Sequence, residues 1–267
     1  MARPLHLLSL LTATLLPSAV GAQAFEGTIR MRSVTIDATP VLARYGNDPE
    51  KLIAAPWERI LAAARDAGAS IDEDSGVYYI KGSRLRFGGG SFTANAYMVT
   101  DVTTGAMLMI QPAERVYIEW GPEDIQKMME EIQAGAPEAQ EPAPEFEPLG
   151  TTREVHGRRC AEYQMTEEQT ITVACLTKEL AGLASFFQQW GKVAMDPTGE
   201  EGRNVIAALT KHGFPLLVRE LTTEGDEQTM SAAYEINETI SIDRGALPES
   251  LFTTPPGFRK TTLPGSP

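Results

Sequence analysis

Cys160 and Cys175 are the only thiols in the 267-residue chain. On a hairpin of two β-prone runs, 159–165 and 170–176, a turn centred on Glu167-Glu168 sets residues whose numbers sum to 335 opposite one another. Cys160 then faces Cys175 as Met165 faces Thr170, with Cα atoms about 4.5 Å apart in a non-hydrogen-bonded pair, within disulfide reach. Closing a loop of this size contributes on the order of 3 kcal/mol. Redox or metal chemistry is the alternative. The fourteen residues between the two cysteines are unlike the C-x-x-C spacing that lowers a thiol pKa. His156 stands four positions before Cys160, the outline of a metal corner, but His212 is the only other histidine after the first ten residues, too few for a ligand set. The expectation is a structural disulfide and no metal.

His156 and His212 are also the only candidate bases of their type. His212 lies in Lys211-His212-Gly213, ordinary chemistry for a helix C-terminus, where a positive or polar side chain complements the dipole. His156 is placed on a strand beside Gly157. Carboxylates are plentiful, yet none pairs distinctively enough to name an acid/base dyad. G-x-S-x-G, H-E-x-x-H, S-x-x-K and G-x-G-x-x-G are all absent. Gly191-Lys192 has a phosphate-loop flavour, but Phe186 stands where that loop needs its first glycine and Val193 where it needs Ser or Thr. Gly88-Gly89-Gly90-Ser91 reads as a bend between strands. Asn237-Glu238-Thr239 matches a glycosylation acceptor inside a predicted strand. Met98, Met107, Met109, Met128 and Met129 offer thioethers to copper(I) or fill an apolar interior; interleaved Tyr97, Val99, Leu108 and Ile110 favour core or pocket wall. The reading is a protein with no catalytic residues and no cofactor, not an enzyme.

Charge and targeting narrow the setting. With 36 acidic and 23 basic residues the formal net charge is −13, which repels nucleic acid and anionic lipid surfaces. Residues 1–24 read as a cleavable export signal: Arg3, an apolar stretch from Leu5 to Val20, then Ala22-Gln23-Ala24. No later run approaches the length of a membrane-spanning helix, so no integral membrane segment is expected after cleavage. The expected compartment is the periplasm.

The elements around these residues follow from periodicity. Residues 25–36 alternate apolar and polar, as a half-buried strand does. Asp48-Pro49 starts a helix, and Ile53, Trp57, Ile60, Leu61 and Ala64 repeat at helical spacing. Pro56 predicts a kink or two short helices. Short strands follow at 77–81, 84–87, 94–102 and 106–119, with Pro112 marking an edge or bulge in the last, and Pro122 opens a helix to about 134. The acidic, proline-rich stretch 135–149 is expected as a flexible loop. Three strands at 151–156, 159–165 and 170–176 precede a helix with Leu180, Leu183, Phe187 and Trp190 on one face. A short helix at 205–209, a hairpin of 214–223 with 228–242 and a disordered tail at 263–267 finish the chain. This is an α+β pattern, one antiparallel sheet with helices against one face, in a single domain over 25–262 with a helical insertion at about 37–74.

Certain segments resemble a bacterial exported family catalogued as a domain of unknown function, number 4412. They are Phe25-Glu-Gly-Thr-Ile, Tyr78-Tyr79-Ile80-Lys81-Gly82-Ser83-Arg84-Leu85-Arg86, Met107-Leu108-Met109-Ile110-Gln111-Pro112, the strand Val155 to Tyr163 and Pro255-Pro256-Gly257-Phe258-Arg259-Lys260. That family is in turn similar to the periplasmic lipoprotein-carrier (LolA-like) group. The resemblance implies a curved antiparallel half-barrel with helices packed against its concave face, over an apolar cavity. It carries over no catalytic residues. The function expected is binding of a hydrophobic ligand or lipid, with Tyr79, Phe87, Met98, Leu108, Ile110, Phe187 and Trp190 as candidate wall residues. The alternative is an envelope interaction module that recruits a protein partner through the acidic loop.

Overall fold

The fold is seen in a computed structural model, which describes residues 25–88, 96–125, 127, 145–167, 169–193, 210–225 and 230–262. Residues 1–24, expected as an export signal, Gly89 to Ser91, Met128, Met129, residues 135–144 of the acidic stretch, residues 205–209, expected as a helix, and the 263–267 tail lie outside the described residues.

Among the described residues, twelve strands form one open, mixed sheet. They are β1 (Glu26–Asp37), β2 (Ile71–Lys81), β3 (Arg84–Gly88), β4 (Tyr97–Asp101), β5 (Met107–Gln111), β6 (Val116–Trp120), β7 (Glu147–Val155), β8 (Arg158–Glu167), β9 (Thr170–Thr177), β10 (Phe214–Glu224), β11 (Ser231–Arg244) and β12 (Arg259–Lys260). The spatial order is β12-β6-β5-β4-β3-β2-β1-β11-β10-β9-β8-β7. Two meanders of sequential strands, β1 to β6 and β7 to β11, are thus joined where β1 pairs with β11. All pairs are antiparallel except β12 with β6, a departure from the all-antiparallel expectation.

The joint is close. At Gly27 (φ +156°) a Cβ would overlap the Asp243 carbonyl oxygen, so only glycine lets β1 and β11 approach there. The β1–β11 register shifts between Arg30↔Ser241 and Met31↔Thr239, leaving Ile240 as an extra residue in a bulge.

Helices are few, and local chemistry sets their bounds. After β1 come α1 (Thr39–Leu42) and a 3-10 turn over Ala43–Tyr45, ended by Gly46 in the left-handed region. The Asp48 side chain caps α2 (Pro49–Ala54) by accepting from the Lys51 amide. Pro56 separates α2 from α3 (Trp57–Asp66), the two short helices expected. In α3, Trp57, Ile60, Leu61 and Ala64 are buried. α4 (Ala181–Val193) follows β9.

Side chains alternate across each strand, so the register assigns them to faces. Arg32, Val34 and Ile36 share one face of β1, and the Arg32 guanidinium lies 5.1 Å from the Trp57 ring of α3. Ile29 lies on the opposite face, opposite Tyr78 of β2, and Tyr78 meets Phe187 of α4. Helices therefore flank both faces, not one. A single helix layer leaves the other face of a mid-sheet strand wet, and here both faces are apolar.

Three further expectations change. The 106–119 run is two strands, β5 and β6, with a turn over Pro112–Arg115 in which the Arg115 amide donates to the Pro112 carbonyl at 3.3 Å. Proline's fixed φ suits the turn, and its missing N–H would have left a gap in a continuous strand. The last residues of the acidic stretch are strand: β7 begins at Glu147, anchored by buried Phe146 packed with Met165, Ala174 and Leu176. His156 lies in a two-residue turn with Gly157 rather than on a strand, both at positive φ (+45° and +76°), between paired Val155 and Arg158.

The disulfide joins Cys160 to Cys175, with Cα atoms 5.3 Å apart, though the expected register is off by two. Glu167 pairs with Thr170 and Glu162 with Cys175, so the turn is one residue later and the two cysteines are diagonal neighbours.

Candidate functional site

The seven candidate wall residues do not share a wall. Register places Phe87 opposite Met98, while Tyr79 and Leu108 align with Arg86 and Val99 on the other face. Tyr79, Leu108 and Ile110 pack with Val99, Phe252 and Phe258 beneath the segment that follows β11. Met98 packs with Met107, Met109, Trp120 and Ile125, the last from a helical turn at 122–125. These methionines are apolar filling between sheet and turn.

Phe87, Phe187 and Trp190 do come together. Phe187 lies 5.7 Å from Trp190, 5.6 Å from Phe214, 5.8 Å from Phe186 and 6.3 Å from Tyr78. Phe87 lies 6.0 Å from Trp190 and 6.1 Å from Tyr78. Six rings thus make one connected group between α4 and strands β2, β3 and β10, mostly in edge-on or tilted contacts that suit aromatic quadrupoles. Tyr78, Phe87, Phe187 and Trp190 are only half-buried, whereas Phe214 is fully buried. Burial raises the Tyr78 phenol above its ordinary pKa, so this hydroxyl stays neutral across the physiological range. Tyr78 and Phe214 are absent from the sequence-derived list. Parity could have found Tyr78, because it alternates with buried Ile80 and Tyr79 does not.

A charged network lies on the α1–α3 side. Arg219, 3% exposed, donates to the Ile53 and Ala55 carbonyls at 3.0 and 3.4 Å and to Glu162 Oε1 at 3.4 Å. Arg153 Nε also reaches Glu162 Oε1, at 3.1 Å, and Thr151 donates to Glu162 Oε2. Farther along, Glu238 takes Arg32 on Oε2 at 2.7 Å and His156 Nε2 on Oε1 at 3.0 Å. Tyr234, on the same strand and face as Glu238, is fully buried; burial pushes its phenol up to about 12, with Arg219 partly opposing. The sequence carried a signal here too: Arg219 has the parity of Leu217 and Leu221, and Glu238 that of Tyr234 and Ile236.

His212 stacks on Tyr163 at 4.6 Å between ring centres. Burial, then Lys211 and Lys178, lower its pKa. Asn237 donates to Glu235 within β11. Among the described residues no group of three His, Cys, Asp or Glu side chains is placed to hold a metal ion.

Two of the clefts among the described residues bear on the site, and none of the seven candidate residues lines either. One, of about 420 Å³, is walled by hydroxyls, small residues and the carboxylates of Asp37, Asp72 and Glu224. The other, of about 210 Å³, lies at the β1–β11 bulge between Val155, His156 and Arg158 on one side and Leu216 and residues 239–243 on the other.

Residues 77–258 match the family described as "Domain of unknown function (DUF4412)". No curated protein matches the chain. Two solved structures of PNGF-II, in different crystal forms, are similar with TM-scores of 0.36 and 0.34 and 10% and 9% identity. They cover 88% and 87% of this chain, which spans only 31% and 30% of theirs.

Proposed function

We propose, for a chain that belongs to the DUF4412 family, a non-enzymatic role in the periplasm: binding a hydrophobic ligand, a lipid or acyl chain, between α4 and the sheet. The observation that carries this reading is the aromatic group. Six touching rings, four of them half-buried, line the contact between α4 and β2, β3 and β10. Rings kept partly in water are poorly used as core, whereas ligand sites are mostly apolar with a few placed polar groups. In this reading the sheet bends as a LolA-like half-barrel and α4 is the element that gives way to the ligand. The signal-like residues 1–24 and the disulfide support export. Native mass spectrometry of gently purified protein tests the idea. Adducts of lipid mass that disappear in Phe187→Ala and Trp190→Ala are expected; ligand-free spectra after exposure to membrane extracts overturn it.

A second reading, docking of an envelope protein, is favoured by β7. It is the terminal strand of the sheet, its side chains from Glu147 to Thr152 are exposed, and it continues directly from the acidic stretch. Deleting residues 135–144 should then weaken partner capture, and unchanged capture removes that segment from the reading.

A further inference from the structure

The cleft at the β1–β11 bulge is not isolated from the aromatic group. Val155 and Leu216, which line it, belong to the same buried cluster that Tyr78, Phe87, Phe187 and Trp190 pack against, and Ile242 packs there too. Register draws the path. Ile242 lies opposite Ile29, Ile29 opposite Tyr78, and Tyr78 opposite Phe87, so four apolar side chains form one row on one face. Three strand-to-strand steps of about 4.8 Å span about 14 Å, the reach of a medium-length alkyl chain.

The cleft end of that row is polar and holds a cation without a counterion. Arg158 is half-buried, and its guanidinium makes no hydrogen bond or ion pair among the described residues. Arg32, Arg65, Lys81, Arg84, Arg153 and Arg219 have carboxylate partners, whereas Arg158, in the cleft, has none among the described residues. Glu238 is held by Arg32 and His156, and Asp243, which lines the cleft, accepts from the Ser241 hydroxyl at 3.1 Å. His156 adds a second ring nitrogen beside Arg158, and Thr239 and Ser241 bring hydroxyls.

We infer that this cleft receives the anionic headgroup, a phosphate or carboxylate, of a single-chain amphiphile whose tail lies along Ile242, Ile29, Tyr78 and Phe87 under α4. The inference rests on the apolar-ligand reading above and adds the ligand's polarity and direction. An arginine fork matches such a headgroup and forms charge-assisted bonds to it, while the row removes the tail from water.

Titration calorimetry of the purified protein with dodecyl phosphate, dodecanol and inorganic phosphate, each below any micelle concentration, tests it. Dodecyl phosphate should bind about tenfold more tightly than dodecanol, one charge-assisted contact's worth of discrimination. Arg158→Ala should erase that preference without changing dodecanol affinity or thermal melting, and Arg158→Lys should keep part of it. Inorganic phosphate alone should not compete at equal concentration. Equal affinity for the two alkyl ligands, or a preference that survives Arg158→Ala, overturns the headgroup site and leaves the apolar-ligand reading standing. Competition by inorganic phosphate overturns it in favour of a free-anion site. Binding of neither alkyl ligand overturns both readings together.

Discussion

Arg219 offers the sharpest test of how the helical insertion is held to the sheet. Its guanidinium is buried and donates to the last carbonyls of α2, those of Ile53 and Ala55, and to Glu162. Replacing it by alanine does not orphan Glu162, which keeps Arg153 and Thr151. The loss is two charge-assisted carbonyl bonds, about 1.5 kcal/mol each, plus the buried methylene stem, about 2 kcal/mol. Arg219→Ala should therefore cost about 5 kcal/mol in urea unfolding, a fall in Tm of about 10–15 °C for a chain of this length. Arg219→Met keeps the stem and should cost about 3 kcal/mol. Because the bonds end on α2, amide exchange monitored by mass spectrometry should accelerate in residues 39–66 ahead of the sheet. Costs below about 1 kcal/mol for both variants, a methionine variant no better than alanine, or acceleration spread evenly over the sheet would refute this account.

Other outcomes follow from single observations. Glu220 pairs directly with Glu235 across β10 and β11, and burial first, then Glu235, raise its pKa. The folded state thus holds this proton more tightly than the unfolded chain, and the site is destabilising once it ionises. Glu220→Gln should add about 0.5 kcal/mol at neutral pH, a gain that fades as pH falls through the raised folded pKa and is gone once pH is below the ordinary glutamate value of about 4.3; a gain independent of pH counts against the assignment. Among the described residues the buried Tyr234 hydroxyl has no hydrogen-bond partner, so Tyr234→Phe should leave chemical-denaturation stability unchanged or raise it by up to about 1 kcal/mol. The Cys160→Ala/Cys175→Ala pair should lose on the order of 3 kcal/mol, and wild type in reductant should lose the same amount by the same unfolding assay.

Local chemistry was legible where one residue type forces a conformation. Asp48-Pro49 and Pro56 announced two short helices, and alternation from Phe25 to Ile36 announced β1. Pro112 was legible as an interruption but not as a turn, since a bulge and a two-strand turn both remove one N–H. The cysteine hairpin was readable as a pairing yet misplaced by two, because Glu167-Glu168-Gln169 contains no Asn-Gly or Gly-Gly to fix loop length. The candidate wall failed for a related reason. Alternation separates a strand's two faces but does not say which lies under α4, so Tyr79 was chosen where Tyr78 makes the contact. The union of β1 with β11 has no local signature, because its partners are some two hundred residues apart.

That union governs how the chain must be assembled. β1 emerges first, but its partner is almost the last strand made, so each meander can zip locally while the seam between them waits for the whole polypeptide. Until β11 arrives, β1 offers an unpaired flank twelve residues long to any passing strand, a hazard of late, non-local closure. A circular permutant that opens the β6–β7 connection and links the old termini would bring the seam partners much closer in sequence, with only the segment through β12 and the linked ends between them. It should gather its sheet sooner and aggregate less during refolding.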